Sequence, residues 1–167
     1  VTYTYDALDR RLSRTDRHGN TTQYAYDAVG NLIETTDPLG NITAFTYDLN
    51  GNRLSRTDAR GHTTTTSYDA LNRRIRVKDA LGNAVLTDYD ALGRETRITD
   101  PGGRVTEHVY DALGRRTQTT DPAGGITQLA YDANGNRISR TDANGHTTTF
   151  TYDALNRLTA VTDPPGA

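Results

Sequence analysis

In the stretch NTTQYAYD, Thr22, Tyr24 and Tyr26 alternate with Thr21, Gln23 and Ala25. A period of two is the signature of a β-strand whose aromatic side chains share one face. The same columns hold Phe45 and Tyr47 further on, and Phe150 and Tyr152 near the end. A second run of segments carries Leu12, Ile33, Leu54, Ile75 and Ile138 in one fixed column. Segments of six or seven residues rich in Thr, Tyr, Val and Ile suit strands in length and in residue type. If a stretch such as DALG, Asp111 to Gly114, is a four-residue hairpin loop, the Leu/Ile column falls opposite the first aromatic of each pair. That register gathers the apolar side chains on one face, and a slip of one residue splits them.

The pattern repeats. Tyr-Asp pairs begin at Tyr5, Tyr26, Tyr47, Tyr68, Tyr89, Tyr110, Tyr131 and Tyr152, always 21 residues apart. A second aspartate follows ten residues after the first, at Asp16, Asp37, Asp58, Asp79, Asp100, Asp121, Asp142 and Asp163. Three residues later comes a glycine: Gly19, Gly40, Gly61, Gly82, Gly103, Gly124, Gly145 and Gly166. No insertion breaks the register, as a stacked array requires, because each unit must offer the same edge to its neighbour.

Each repeat holds two turns. DPLG, Asp37 to Gly40, places Asp, Pro and Gly at the first, second and fourth positions, the preferences of a type I turn. The other turn ends on Gly30, Gly51, Gly93, Gly114 or Gly135, and elsewhere on Asp9, Asn72 or Asn156. Gly, Asn and Asp tolerate positive φ, so this slot reads as a left-handed backbone position. The tyrosines, the second aspartates and the glycines are therefore read as structural ladder and turn residues. The predicted fold is all-β: tandem β-hairpin repeats in one long antiparallel meander over residues 1–167, with about sixteen strands at two per repeat. Open sheets rarely exceed ~10 strands without curling, so a spiral or a hollow shell is expected. Repeats four and five are less aromatic, with Thr66, Lys78, Thr87 and Asp88 in the usual ladder columns, which predicts weaker local packing.

Composition changes this picture little. Only 34% of residues are hydrophobic, which leans towards disorder, but a net charge of -2 removes the self-repulsion that disorder favours. Lys78 is the single lysine, and arginines alternate with aspartates, so no basic patch points to nucleic acid. There is no cysteine for a disulfide or a thiol nucleophile. No apolar run approaches the ~20 residues that span a bilayer. The chain opens in mid-pattern at Val1, which reads as an excerpt of a longer polypeptide.

Candidate chemistry is sparse, and no catalytic, cofactor-binding or metal-binding residue is assigned. The paired aspartates resemble catalytic carboxylates, but a turn-initiating role explains both columns, and an acid–base pair needs one special environment rather than eight copies. The Asp-Asn-Gly turns lack the dense oxygen series of a calcium loop. His18, His62, His108 and His146 show no metal-ligand spacing. Ser13, Ser55, Ser67 and Ser139 sit in no nucleophile motif. Arg10, Arg73, Arg94, Arg115 and Arg157 follow the left-handed slot, and Arg14, Arg56 and Arg140 lie further along the same strands. They are expected to pair with aspartates across strands or to stack on tyrosine rings. Aromatic ladders also suit sugars, so glycan binding is a competing reading.

The unit YDALGRRTQTTDPAGGITQLA, Tyr110 to Ala130, resembles the RHS repeat, also called the YD repeat, and the resemblance runs the length of the chain. In that family, tandem repeats form a long sheet that spirals into a hollow shell around a C-terminal toxin domain or its remnant. Such shells occur in insecticidal toxin complexes and bacterial contact-dependent effectors, and animal teneurins carry a related barrel. The resemblance implies a non-enzymatic, wall-building role in a secreted or cell-surface protein, bacterial in origin. It implies as partners the rest of a longer chain and an enclosed effector domain. The RHS-associated core that frees the toxin is not recognisable after Asp163, so no catalytic role is carried over. An extracellular fibre or adhesin, self-associating or binding glycans, is the alternative.

Overall fold

The structure, a computed structural model, describes residues 1–163; Gly166 lies outside the described residues. Sixteen strands form among them: β1 (Thr2–Tyr5), β2 (Arg11–Thr15), β3 (Thr21–Tyr26), β4 (Leu32–Thr36), β5 (Ile42–Tyr47), β6 (Arg53–Thr57), β7 (Thr63–Tyr68), β8 (Arg74–Lys78), β9 (Ala84–Tyr89), β10 (Glu95–Thr99), β11 (Val105–Tyr110), β12 (Arg116–Thr120), β13 (Ile126–Tyr131), β14 (Arg137–Thr141), β15 (Thr147–Tyr152) and β16 (Leu158–Thr162). Sheet order follows sequence order without crossovers. The chain divides into two compact units, residues 1–85 and 86–167. In the first, β1 to β8 form an antiparallel meander; in the second, β10 to β16 do the same, with β9 paired to β10.

Two kinds of ladder alternate. Within a repeat, β3 pairs along its whole aromatic half with β4: Gln23 faces Thr36, Tyr24 faces Thr35, Ala25 faces Glu34 and Tyr26 faces Leu32. Towards the preceding repeat the ladder is shorter, with Ser13 opposite Gln23, Arg14 opposite Thr22 and Thr15 opposite Thr21. The sequence-derived register is corrected here. Tyr24 faces Thr35, not Ile33, because a bulge between Ala25 and Tyr26 leaves Ile33 as the extra residue. Leu12, Leu54, Ile75 and Ile138 occupy the same bulged place, as do Thr96, Thr117 and Thr159. The column read as a packing partner for the aromatic is therefore the column that adds one residue to the strand. At Thr96 and Thr117 the hydroxyl donates to the carbonyls of Asp88 and Val109, both at 3.3 Å.

Directly opposed residues share a face, so the ladders define two chemically different surfaces. One carries Tyr3, Tyr24 and Phe45 with Arg14, Thr35 and Arg56 as their partners. The other carries hydroxyl pairs: Thr4 with Ser13 at 2.6 Å, Thr15 with Thr21 at 2.8 Å and Thr46 with Ser55 at 2.6 Å. Where Thr66 and Thr87 replace the first aromatic, their partners are Val77 and Ile98. The apolar member of the pair has moved across the ladder. The reduced aromatic content of these repeats is thus offset in the opposing strand, and a β-branched residue suits that place.

No side chain among the described residues is fully buried. A single-layer sheet has no second layer to cover it, so ladders, cross-strand pairs and turns hold each unit together. The turns all follow one scheme. In the first turn of repeat two, the N–H of Gly30 donates to the Asp27 carbonyl and the Asp27 N–H donates to the Asn31 carbonyl. Asp16, Gly19 and Asn20 repeat the scheme in the other turn. The fourth turn residue has positive φ in both, from 101° at Gly30 to 58° at Asp9, 61° at Asn72 and 60° at Asn156. Only residues that accept a left-handed backbone fit there.

Candidate functional site

The ladder between repeats ends early, and three side-chain devices bridge the remainder. The first uses tyrosine. The Tyr26 hydroxyl donates to the Arg11 carbonyl at 3.0 Å, across the opening beyond the last β2–β3 pair. The same bond joins Tyr47 to Leu32, Tyr68 to Arg53, Tyr110 to Glu95, Tyr131 to Arg116 and Tyr152 to Arg137, at 2.8 to 3.1 Å. Its acceptor is the residue paired with the preceding tyrosine next to the bulge, as Arg116 is paired with Tyr110. A main-chain carbonyl beyond the end of its ladder needs another donor, and the next repeat supplies it.

The second device uses arginine. Arg115 Nε donates to Asp111 Oδ2 at 2.7 Å, and its Nη1 reaches the Asp132 carbonyl of the next repeat at 2.9 Å. Its guanidinium carbon lies 4.8 Å from the centre of the Tyr131 ring, a cation–π contact. Arg94 clamps Asp111 and Tyr110 in the same way, and Arg10 clamps Asp27 and Tyr26. The expected stacking on tyrosine is present. The expected pairing with aspartate across strands is corrected for this column: Arg10, Arg73, Arg94, Arg115 and Arg157 bind the aspartate of their own turn, four residues earlier, and Arg104 does the same in the other turn. The fork geometry of a guanidinium lets one end hold its own turn while the other reaches forward.

The third device was not legible as a contact. Asn50 and Asn52 both donate from Nδ2 to Oδ1 of Asn72, at 3.0 and 2.6 Å. Asn134 and Asn136 treat Asn156 alike, at 3.1 and 2.8 Å. Asn72 and Asn156 are left-handed residues, and each follows a turn carrying Asn-Gly-Asn. The signal in the sequence was this coincidence between neighbouring repeats.

Hydrogen bonds in most turns favour the ionised aspartate. Oδ1 of Asp37 accepts the N–H groups of Leu39 and Asn41, and Oδ2 accepts Nδ2 of Asn41 at 2.8 Å. Such donors favour the carboxylate. The asparagine amide is the leading cause of a lowered pKa at Asp16, Asp27, Asp37, Asp48, Asp79 and Asp132, and the Arg157 side chain at Asp153. The backbone N–H four residues on leads at Asp6, Asp58, Asp69, Asp90, Asp100, Asp111 and Asp142. A carboxylate stabilised in this way is a poor general acid near neutral pH.

The histidines are dispersed. His62 and His146 place Nδ1 3.3 and 3.4 Å from Asp58 and Asp142, each within its own turn. His108 takes the first-aromatic column, with Nδ1 3.1 Å from Thr119 Oγ1. Burial, then Arg116, holds its pKa below the ordinary value, with Glu95 opposing. Among the described residues no three His, Cys, Asp or Glu side chains come together as a metal site. The surface hollows are shallow and open; one of about 480 Å³ is lined by His62, Thr65, Lys78 and Asp79 in the first unit. Among the described residues no helix is long and apolar enough to cross a membrane.

The RHS Repeat family model matches residues 26–63, 47–84, 89–126 and 131–167, more than half of the chain. The chain belongs to the RHS repeat family. No curated protein matches it. Among solved structures, this RHS array is similar to the TcdB2–TccC3–Cdc42 crystal structure, with a TM-score of 0.74 and 20% identity over 93% of this chain. It is similar also to a Photorhabdus luminescens Tc holotoxin pore, with a TM-score of 0.68 and 17% identity over 96% of this chain. A TcdB2–TccC3 crystal structure gives a TM-score of 0.61 at 20% identity over 92% of this chain. At these identities the likeness is one of fold. The RHS array spans 10%, 12% and 9% of the three matched chains.

Proposed function

We propose that this RHS array is a non-enzymatic wall segment of a longer polypeptide, curled with further repeats into a hollow shell that encloses or presents an effector domain. The shell belongs to a secreted or surface-displayed bacterial protein. The observation that carries this reading is the recurrence of one latch, the tyrosine hydroxyl on the preceding repeat's carbonyl, from Tyr26 to Tyr152. A contact that recurs at a fixed interval sets the spacing of a wall, and it leaves no repeat with chemistry of its own. The fold likeness to the TcdB2–TccC3 assembly supports the same reading. The tyrosine and aspartate columns serve it as latch and turn residues.

The hydroxyl-bearing face, with its Thr–Ser and Thr–Thr pairs, is the one we assign to the lumen. An enclosed unfolded chain adheres to an apolar lining and slides on a wettable one. Sugar stacking fits the opposite face less well, because tyrosine hydroxyls there are committed to carbonyls and guanidinium groups lie over the rings of Tyr24, Tyr110 and Tyr131. Limited proteolysis of the natural polypeptide that contains this array tests the proposal. A wall predicts an adjoining domain that survives trypsin while the particle is intact and is digested once acid or urea opens it. Digestion at equal rates before and after opening would refute enclosure.

A further inference from the structure

The array contains three Asn-Gly steps, at Asn50–Gly51, Asn134–Gly135 and Asn144–Gly145. At such a step the main-chain nitrogen can attack the preceding carboxamide with little hindrance, because glycine has no Cβ in the way. Each asparagine is the exposed third residue of a four-residue turn. Each glycine has positive φ and donates its N–H to the carbonyl of the turn aspartate, at 3.1 Å for Gly51, 3.2 Å for Gly135 and 3.0 Å for Gly145. The main chain thus treats the three steps alike, and solvent reaches all of them.

Their side chains differ. Asn50 Nδ2 donates to Asn72 Oδ1, and Asn134 Nδ2 donates to Asn156 Oδ1, each in the next repeat. Such a carboxamide must give up its bond before its carbon can swing onto the glycine nitrogen. Asn144 donates its N–H to Asp142 Oδ1 at 2.9 Å, but among the described residues its amide has no hydrogen-bond partner. The sequence explains the difference. In the first turns the left-handed slot holds Asn72 or Asn156 where an amide is to be received. In the second turns that slot is always glycine, which offers no side chain to a neighbour.

We propose that Asn144 is a site of spontaneous deamidation, and that the asparagine bridges shield Asn50 and Asn134 from the same reaction. The Gly145 nitrogen gives its proton to a base in the solvent and bonds to Cγ of Asn144. The Cγ–Nδ2 bond breaks, and Nδ2 takes up a proton and leaves as ammonia. Water then opens the resulting succinimide ring at one carbonyl to give aspartate, or at the other to give isoaspartate. The sum is water in and ammonia out, with no change of oxidation state. Isoaspartate routes the main chain through the side-chain carbon and so lengthens a turn in which the Asp142 N–H meets the His146 carbonyl at 2.9 Å. The modification therefore loosens the β14–β15 hairpin. The proposal stands apart from whether the wall encloses a cargo.

The test holds the natural polypeptide that contains this array, folded, in mildly alkaline buffer. Tandem mass spectrometry of its peptides then reads aspartate and isoaspartate at each asparagine. Asn144 should convert about fivefold faster than Asn50 or Asn134, the rate equivalent of one net hydrogen bond. In urea, where the bridges are gone, the three rates should converge. Asn72→Gly keeps a residue suited to the left-handed slot and should raise the Asn50 rate about fivefold while leaving Asn134 unchanged. Asn156→Gly should raise the Asn134 rate and leave Asn50 unchanged. Far-UV circular dichroism confirms that each variant keeps its strands, and the comparison within the parent chain needs no variant. Equal rates at the three sites in the folded state would overturn the proposal. So would a spread in urea as wide as in the folded state, or Asn50 and Asn134 rates that ignore Asn72→Gly and Asn156→Gly.

Discussion

The Tyr131 hydroxyl donates a 2.9 Å hydrogen bond to the main-chain carbonyl of Arg116, fifteen residues earlier and in the preceding repeat. Three features of the chain converge on that bond. A bulge at Thr117 offsets Arg116 from the regular ladder. The β12–β13 ladder then ends at the Gln118–Gln128 pair, before it reaches Arg116. The aromatic column of the next repeat spans the opening. Lengthening one repeat by a residue would move the hydroxyl away from its acceptor, which gives a physical reason for the strict interval.

Removing the hydroxyl alone tests its contribution. Tyr131→Phe and Tyr26→Phe should each destabilise the chain by about 1 kcal/mol, the net worth of one such bond. Tyr5→Phe, whose hydroxyl has no such acceptor among the described residues, should change stability by less than about 0.3 kcal/mol in dilute solution. Urea unfolding measures all three. Equal effects at Tyr5 and Tyr131 would contradict the latch.

Asn52 and Asn72 should be energetically coupled, because Asn52 Nδ2 lies 2.6 Å from Asn72 Oδ1. A double-mutant cycle with Asn52→Ala and Asn72→Gly should return a coupling of about 1 kcal/mol. The cycle removes the separate benefit that glycine brings to a left-handed position. Asn20→Ala, in another turn, should show no coupling to Asn72→Gly.

Gly125 is a site where adding a side chain should help. In equivalent turns Asn41 donates Nδ2 to Asp37 Oδ2 at 2.8 Å and Asn20 does so to Asp16 at 2.9 Å. Gly125 keeps the backbone N–H bond to Asp121 Oδ1 at 2.8 Å but has no side chain to donate to Oδ2, and Asp121 Oδ2 sits 2.6 Å from where a Cβ would stand, with the Ala143 Cβ at 2.9 Å. The carboxylate is the end of a flexible side chain, and Asn41 is followed one repeat later by Ala59, the equivalent of Ala143. Gly125→Asn should therefore stabilise the chain by about 1 kcal/mol, through the recovered bond and a less flexible unfolded state. A loss of stability would show that Ala143 cannot give way.

Acid should unfold the array. Asp37 and Asp132 have folded pKa values below the ordinary 3.8, first because of the asparagine amides beside them. A lowered folded pKa contributes stability that is full above the unfolded value and is lost as pH falls through the folded one. The turns should thus contribute evenly from pH 7 to about 5 and lose stability below pH 4, while His108, whose folded pKa lies below its ordinary value, adds a separate and smaller loss as pH falls through about 6. Circular dichroism during acid titration measures it, and Asp37→Asn should flatten the drop. A profile unchanged down to pH 2 would contradict this account of the turns.

The period, the turns and the alternation were legible because each is written in side chains: Tyr-Asp for the strand end, and Asp followed by Gly, Asn or Asp for the turn. The register was not. A bulge adds one residue without a composition of its own, and Ile33 or Leu54 in a bulge looks like Ile33 or Leu54 in a core. Counting across the hairpin therefore placed them one position away from their true setting. The latch was half legible. Its donor is the most regular column of the chain, but its acceptor is a main-chain carbonyl, carried alike by Arg11, Leu32 and Glu95. The direction of the arginines was hidden for a related reason, since only the turn geometry brings Arg115 onto Asp111 rather than onto a neighbouring strand.

The account turns on whether these repeats enclose a space. Electron cryomicroscopy of the natural polypeptide that contains them is the most direct measurement. The account predicts closed, hollow particles with walls one sheet thick and density inside. Open rods or filaments, with the 21-residue unit repeating along the axis, would contradict it.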